Sequence, residues 1–102
     1  MKSRSVPLPR ARLAAYCRRN HIRRLSLFGS ALGPGFRSRS DIDLLVEFAR
    51  GKSPGYFGLE RMQGELSTLL GGRRIDLRTP GELSPRFRDR VMETAEVQFE
   101  RG

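Results

Sequence analysis

Asp41 and Asp43 open the apolar segment Asp41-Ile42-Asp43-Leu44-Leu45-Val46-Glu47-Phe48, and a third acid, Asp76, lies between Ile75 and Leu77. In an extended chain, residues i and i+2 face the same side about 7 Å apart, so Asp41 and Asp43 can converge on one cation. Two acids at the mouth of a buried strand are costly without a counter-charge. Hard divalent cations supply one, because Mg²⁺ takes carboxylate and phosphate oxygens in octahedral geometry. Asp76 is the only acid between Glu65 and Glu82 and adds a carboxylate from a second apolar segment. Three carboxylates suffice for a site with two metal ions about 3.5 to 4 Å apart, aligning nucleophile and leaving group for in-line phosphoryl displacement.

Gly29-Ser30 follows another apolar run, Leu25-Ser26-Leu27-Phe28. A strand ending in Gly-Ser can turn tightly and present backbone N–H groups and a hydroxyl to an anion. Taken singly, each of these residues has a plainer role. Gly-Ser is a loop, Asp41 a strand-edge cap, Asp43 an arginine partner, and Asp76 a salt bridge to Arg74 or Arg78. Their combination, with this spacing and in these strand contexts, favours the chemistry. The remaining candidates are weaker. His21 reads as a turn residue and Cys17 as an inert part of a helix core. Glu47 is expected to pair with Arg74 or Arg78. Tyr56 and Phe57 suit base stacking or core packing equally well.

The elements that must position these residues follow from periodicity. Pro7 and Pro9 delay regular structure, and a helix is expected over residues 10–19, with Leu13, Tyr16 and Cys17 on one face. Strands are expected at 24–28, 41–48 and 73–78, the second placing Ile42, Leu44, Val46 and Phe48 on one side. Between the last two strands, Ser53-Pro54 opens a helix to about Leu70. Its apolar stripe is Tyr56, Leu59, Met62, Leu66, Leu69 and Leu70, and Gly71-Gly72 ends it. Ser84-Pro85 opens a final helix, expected to run to about Phe99 through Phe87, Val91 and Ala95. The expected fold class is α/β, a small mixed sheet flanked by helices.

The chain has 102 residues, which allows one domain, read as 1–102 with residues 1–9 a flexible basic tail. No run approaches the roughly 18 apolar residues of a spanning helix, and the first ten residues lack the apolar stretch of a secretory signal. The expectation is a cytoplasmic protein with no membrane association. One cysteine and one histidine exclude a disulfide scaffold and a Cys/His zinc cluster. The net charge of +9 is uneven: residues 1–24 hold eight bases and no acid, leaving the rest near balance at 12 minus 11. Such asymmetry suits a polyanion or an acidic partner, or else a solvated helix face.

Gly29-Ser30, the spacer with Gly33, and Ser40-Asp41-Ile42-Asp43-Leu44-Leu45-Val46 together resemble the signature of the DNA polymerase beta-type nucleotidyltransferase superfamily, specifically its minimal nucleotidyltransferase (MNT) branch. The resemblance spans about residues 10–97. It implies a mixed α/β sheet, ATP as substrate, Mg²⁺ as metal, and transfer of a nucleoside monophosphate with release of pyrophosphate. Carried over by position, Asp41, Asp43 and Asp76 are the catalytic metal ligands, and Gly29 and Ser30 bind the triphosphate. Small members of this branch are commonly antitoxins of HEPN-type RNase toxins, which they silence by adding AMP to a tyrosine. A toxin partner is thus expected, with any nucleic acid reached through it. A purely steric antitoxin and a nucleic-acid-binding module are the competing readings.

Overall fold

The period-two runs become strands because each has one face apolar enough to bury and turn residues at its ends. In a computed structural model, which describes residues 8–29 and 41–101, the order is α1 (Arg10–Arg19), β1 (Ile22–Phe28), β2 (Ile42–Phe48), α2 (Gly55–Leu69), β3 (Ile75–Arg78), a 3-10 turn (Pro80–Glu82), α3 (Pro85–Thr94) and β4 (Glu96–Glu100). The sheet order is β3-β2-β1-β4. β1 pairs antiparallel with both β2 and β4, and β2 pairs parallel with β3, with α2 as the connection a parallel pair requires. The sheet is therefore mixed and flanked by helices, as expected. The expected tail falls mostly on residues 1–7, outside the described residues, whereas Leu8 packs against the core.

Two cores lie on opposite faces of the sheet. The larger joins Leu13, Tyr16 and Cys17 of α1 and Met62 and Leu66 of α2 to Leu25, Leu27, Ile42, Leu44, Val46, Ile75, Leu77 and Phe99. The smaller holds Phe28 and Leu45 against Leu83 and Val91. Alternation along β2 separates them: Ile42, Leu44 and Val46 face α1 and α2, and Leu45 faces α3. Asp43 and Asp76 fall on the α3 face by the same alternation. Among the described residues, α3 and the 3-10 turn pack on that face through Val91 and Leu83.

The last helix departs from expectation. It stops at Thr94, and Ala95 adopts extended backbone that leads into β4. Glu96-Val97-Gln98-Phe99-Glu100 has period-two alternation of its own, and Phe99 is buried against α1 with the Arg18 guanidinium 5.6 Å from its ring centre. The i, i+4 series of Phe87, Val91 and Ala95 masked that change of period, and Phe87 is in fact half-exposed. One open reading narrows and one further expectation fails. Tyr56 and Phe57 are exposed at the start of α2, stacked edge to face 5.4 Å apart, so neither is core. Glu47 pairs with Arg23 at 2.9 Å and Arg24 at 3.6 Å, not with Arg74 or Arg78, because the antiparallel register sets Arg24 opposite it. Cys17 is fully buried and His21 lies in the turn before β1, both as expected.

Edge strand β3 is braced from two sides. Gln63 of α2 accepts a hydrogen bond from the Leu77 N–H at 2.9 Å, occupying an edge donor. Beyond the strand, Arg88 of α3 donates to the carbonyls of Pro80 and Leu83 at 2.8 and 3.1 Å and ties the 3-10 turn to the helix.

Candidate active site

Three strand ends meet at one end of the α3 face. In the parallel β2–β3 ladder Asp43 stands directly opposite Asp76, and in the antiparallel β1–β2 ladder it stands opposite Phe28, the residue before Gly29. Asp43 and Asp76, 33 residues apart in the chain, are thereby cross-strand neighbours on the same face. Asp41 shares their alternation, one residue before β2 begins.

Gly29 has φ +67°, and a Cβ placed on it would collide with the Asp43 carboxylate. Only glycine satisfies both the left-handed backbone and the close approach. Ser30 lies outside the described residues, as do residues 31–40.

Asp41 and Asp76 each meet an arginine. Arg74 Nε lies 3.4 Å from Asp41 Oδ1, and both side chains are largely in solvent. Arg78 donates to both oxygens of Asp76, from Nε at 2.9 Å and from Nη2 at 3.4 Å. Its guanidinium holds its proton more firmly than usual, chiefly through that hydrogen bond, then through the charges of Asp76, Glu82 and Asp43. A small groove of about 190 Å³ borders the pair, lined by Tyr56, Glu60, Gln63, Asp76, Arg78 and Glu82. Larger hollows of about 550 and 560 Å³, one beside Glu47 and Thr79 and one between Tyr16 and Glu65, contain none of the candidate acids. Gln63 and Glu82 were not legible as site residues, since each comes from a separate element with no motif around it.

Among the described residues, no group of three acids, histidines or cysteines is gathered closely enough to hold a metal ion by itself. The donor set nevertheless suits Mg²⁺. That ion keeps several waters and binds through one or two carboxylates plus substrate phosphates, and does not require a closed protein cage. Asp43 and Asp76, register partners on neighbouring strands, with Asp41 two residues before Asp43 and a turn at Gly29 that leaves room for no side chain, would suit an ion held in that way.

The sequence matches the family model of the polymerase beta nucleotidyltransferases over residues 11–102. The chain belongs to the polymerase beta nucleotidyltransferase family. A relative from Methanocaldococcus jannaschii, provisionally named a protein adenylyltransferase, is 38% identical over 74 residues, covering 72% of this chain and 76% of that one. A solved structure described provisionally as a minimal nucleotidyltransferase superposes with a TM-score of 0.68 at 34% identity, covering 84% of this chain and 85% of its own. The nucleotidyltransferase fold also matches a toxin–antitoxin complex with AMP-PNP, with a TM-score of 0.72 at 20% identity over 92% of this chain and 75% of that one. The MntA-HepT toxin–antitoxin pair matches with a TM-score of 0.63 at 18% identity, over 90% and 70% of the two chains. At those identities the likeness is one of fold. This nucleotidyltransferase has no helix among its described residues long and apolar enough to cross a membrane.

Proposed function

We propose that this chain transfers AMP from ATP to a hydroxyl group, the side chain of a tyrosine on a partner toxin of the HEPN type, and so acts as its antitoxin. The observation that carries the reading is the register that sets Asp43 beside Asp76 next to the close turn at Gly29. Asp41, Asp43 and Asp76 would hold two Mg²⁺ ions, and Gly29 and Ser30 would take the triphosphate. The metal supplies positive charge that offsets the developing charge on the phosphate oxygens. The protein's own part is placement. The two strands fix the carboxylates, and the glycine lets the phosphates approach the backbone.

In the transfer, the acceptor oxygen forms a bond to the α-phosphorus while the bond from that phosphorus to the β-bridging oxygen breaks. Pyrophosphate leaves with the electron pair, and the hydroxyl proton passes to solvent. The toxin–antitoxin complexes that share the fold, and the relative named for protein adenylylation, support a protein acceptor. On this reading the protein works in the cytoplasm, where ATP is plentiful.

Coexpression with the toxin partner, followed by intact-mass spectrometry, tests the proposal. The toxin should gain one or more AMP units with the wild-type chain and none with Asp43→Asn or Asp76→Asn. A fully inhibited but unmodified toxin, in a stable complex on sizing, would identify a steric antitoxin instead.

A further inference from the structure

Arg78 follows Asp76 by two positions on β3, so both side chains leave the same face of the strand. One guanidinium fork takes both carboxylate oxygens of Asp76, at 2.9 and 3.4 Å, and those are the oxygens a metal ion would need. The partners are not locked by packing, with side-chain exposures of 47% for Arg78 and 39% for Asp76. An exposed ion pair of this kind contributes little to folding. Its main consequence falls on whatever competes for the same oxygens. Glu82 and Asp43 add to the negative field that keeps the guanidinium there.

Resting on the metal-ligand reading of Asp43 and Asp76, we propose that Arg78 is an internal counter-ion of the acid site, a positioning residue that occupies Asp76 until a cation arrives together with a triphosphate. A free cation must displace the guanidinium from both Asp76 oxygens and offers it no new acceptor in return. A cation–triphosphate complex brings anionic oxygens that accept the displaced fork in bidentate fashion. Metal and nucleotide binding are thereby coupled, each favouring the other by the same factor. The site stays poorly occupied by metal alone and fills when substrate is present.

Mn²⁺ binding to the full chain, followed by electron paramagnetic resonance, tests this without recourse to turnover. Without nucleotide, Arg78→Gln should bind Mn²⁺ about tenfold more tightly than wild type, the effect of removing one positive charge a few ångströms from the ligands. Arg78→Lys, which keeps the charge, should gain less. The Mn²⁺ complex of an α,β-methylene ATP analogue should bind several-fold more weakly to Arg78→Gln, whereas a merely structural role would weaken both measurements. Measurable free Mn²⁺ binding in both proteins that is no tighter in Arg78→Gln than in wild type would overturn the counter-ion role. The double variant Asp43→Asn/Arg78→Gln separates the two levels of the argument: it should lose the gain. Retention of tight Mn²⁺ binding there, or no binding in wild type and Arg78→Gln alike, would place the failure in the carboxylate assignment itself.

Discussion

Gly29 shows how a single missing Cβ can matter to a site otherwise made of charged groups. Gly29→Ala would force an L-residue into left-handed backbone, at a cost of roughly 1 to 2 kcal/mol, and would drive a methyl group into the Asp43 carboxylate. Urea denaturation should register that loss in stability, and nucleotidyl transfer should fall much further than the stability change explains, since Asp43 must move. Activity equal to wild type would show that the approach of Gly29 to Asp43 has no bearing on transfer. Cys17 is the opposite case, a reactive group made inert by its surroundings. Burial pushes its thiol from 9.0 up to about 12, with Arg18 opposing the shift weakly. The native chain should resist iodoacetamide near pH 8 and react once unfolded in urea. The linkage has a definite sign. The unfolded chain releases this proton first, so the stability Cys17 contributes is complete below pH 9 and is lost as pH rises toward about 12. Tyr16, buried and donating to Glu65 at 2.7 Å, has its phenol shifted upward as well and acts in the same direction. Thermal melts across that range should show the decline, and Cys17→Ala should flatten its onset.

At the level of elements, β4 is what closes the sheet beyond β1. It covers an edge that would otherwise expose the backbone of β1, and it carries Phe99 into the main core beside Leu25, its register partner. Phe99→Ala should cost about 3 to 5 kcal/mol, a large share of the roughly 5 to 15 kcal/mol that holds a domain of this size together. A loss of unfolding free energy in urea of less than a third of that would mean that β4 is dispensable to the core. A ladder of charges reinforces the same three strands. Glu47 of β2 meets Arg24 of β1 at 3.6 Å, and Arg24 meets Glu100 of β4 at 3.4 Å. The pairs depend on registers that no local pattern specifies, which is why the partners of Glu47 could not be read from sequence. A pair between Asp76 and either Arg74 or Arg78 was legible because residues two apart on a strand share a face whatever the tertiary structure, and the structure gives Asp76 to Arg78 and Arg74 to Asp41.

Across the whole molecule, a strongly basic chain with a net charge of +9 keeps Asp41, Asp43 and Asp76 together at one end of its sheet. Carboxylates there repel a bare triphosphate, so calorimetry should detect ATP binding with Mg²⁺ or Mn²⁺ and little in EDTA. Equal affinity in the two conditions would sink the metal-bridged reading, leaving the arginines of α1 as the attraction for ATP. The sequence by itself determined the local elements and the chemistry at their ends. Periodicity set α1, β2 and α2 almost to the residue, because a helix stripe and a strand alternation are properties of neighbours in the chain. The residues around Gly29 and Asp41 pointed to the family for the same reason. What only the tertiary structure decided lies between distant segments. It pairs Asp43 with Asp76, turns the last half-helix into a fourth strand, and gives Glu47 to the arginines of β1. Each of these rests on strand register, which is chosen by the burial of whole faces and by contacts across tens of residues, and a window of neighbouring side chains carries no record of it.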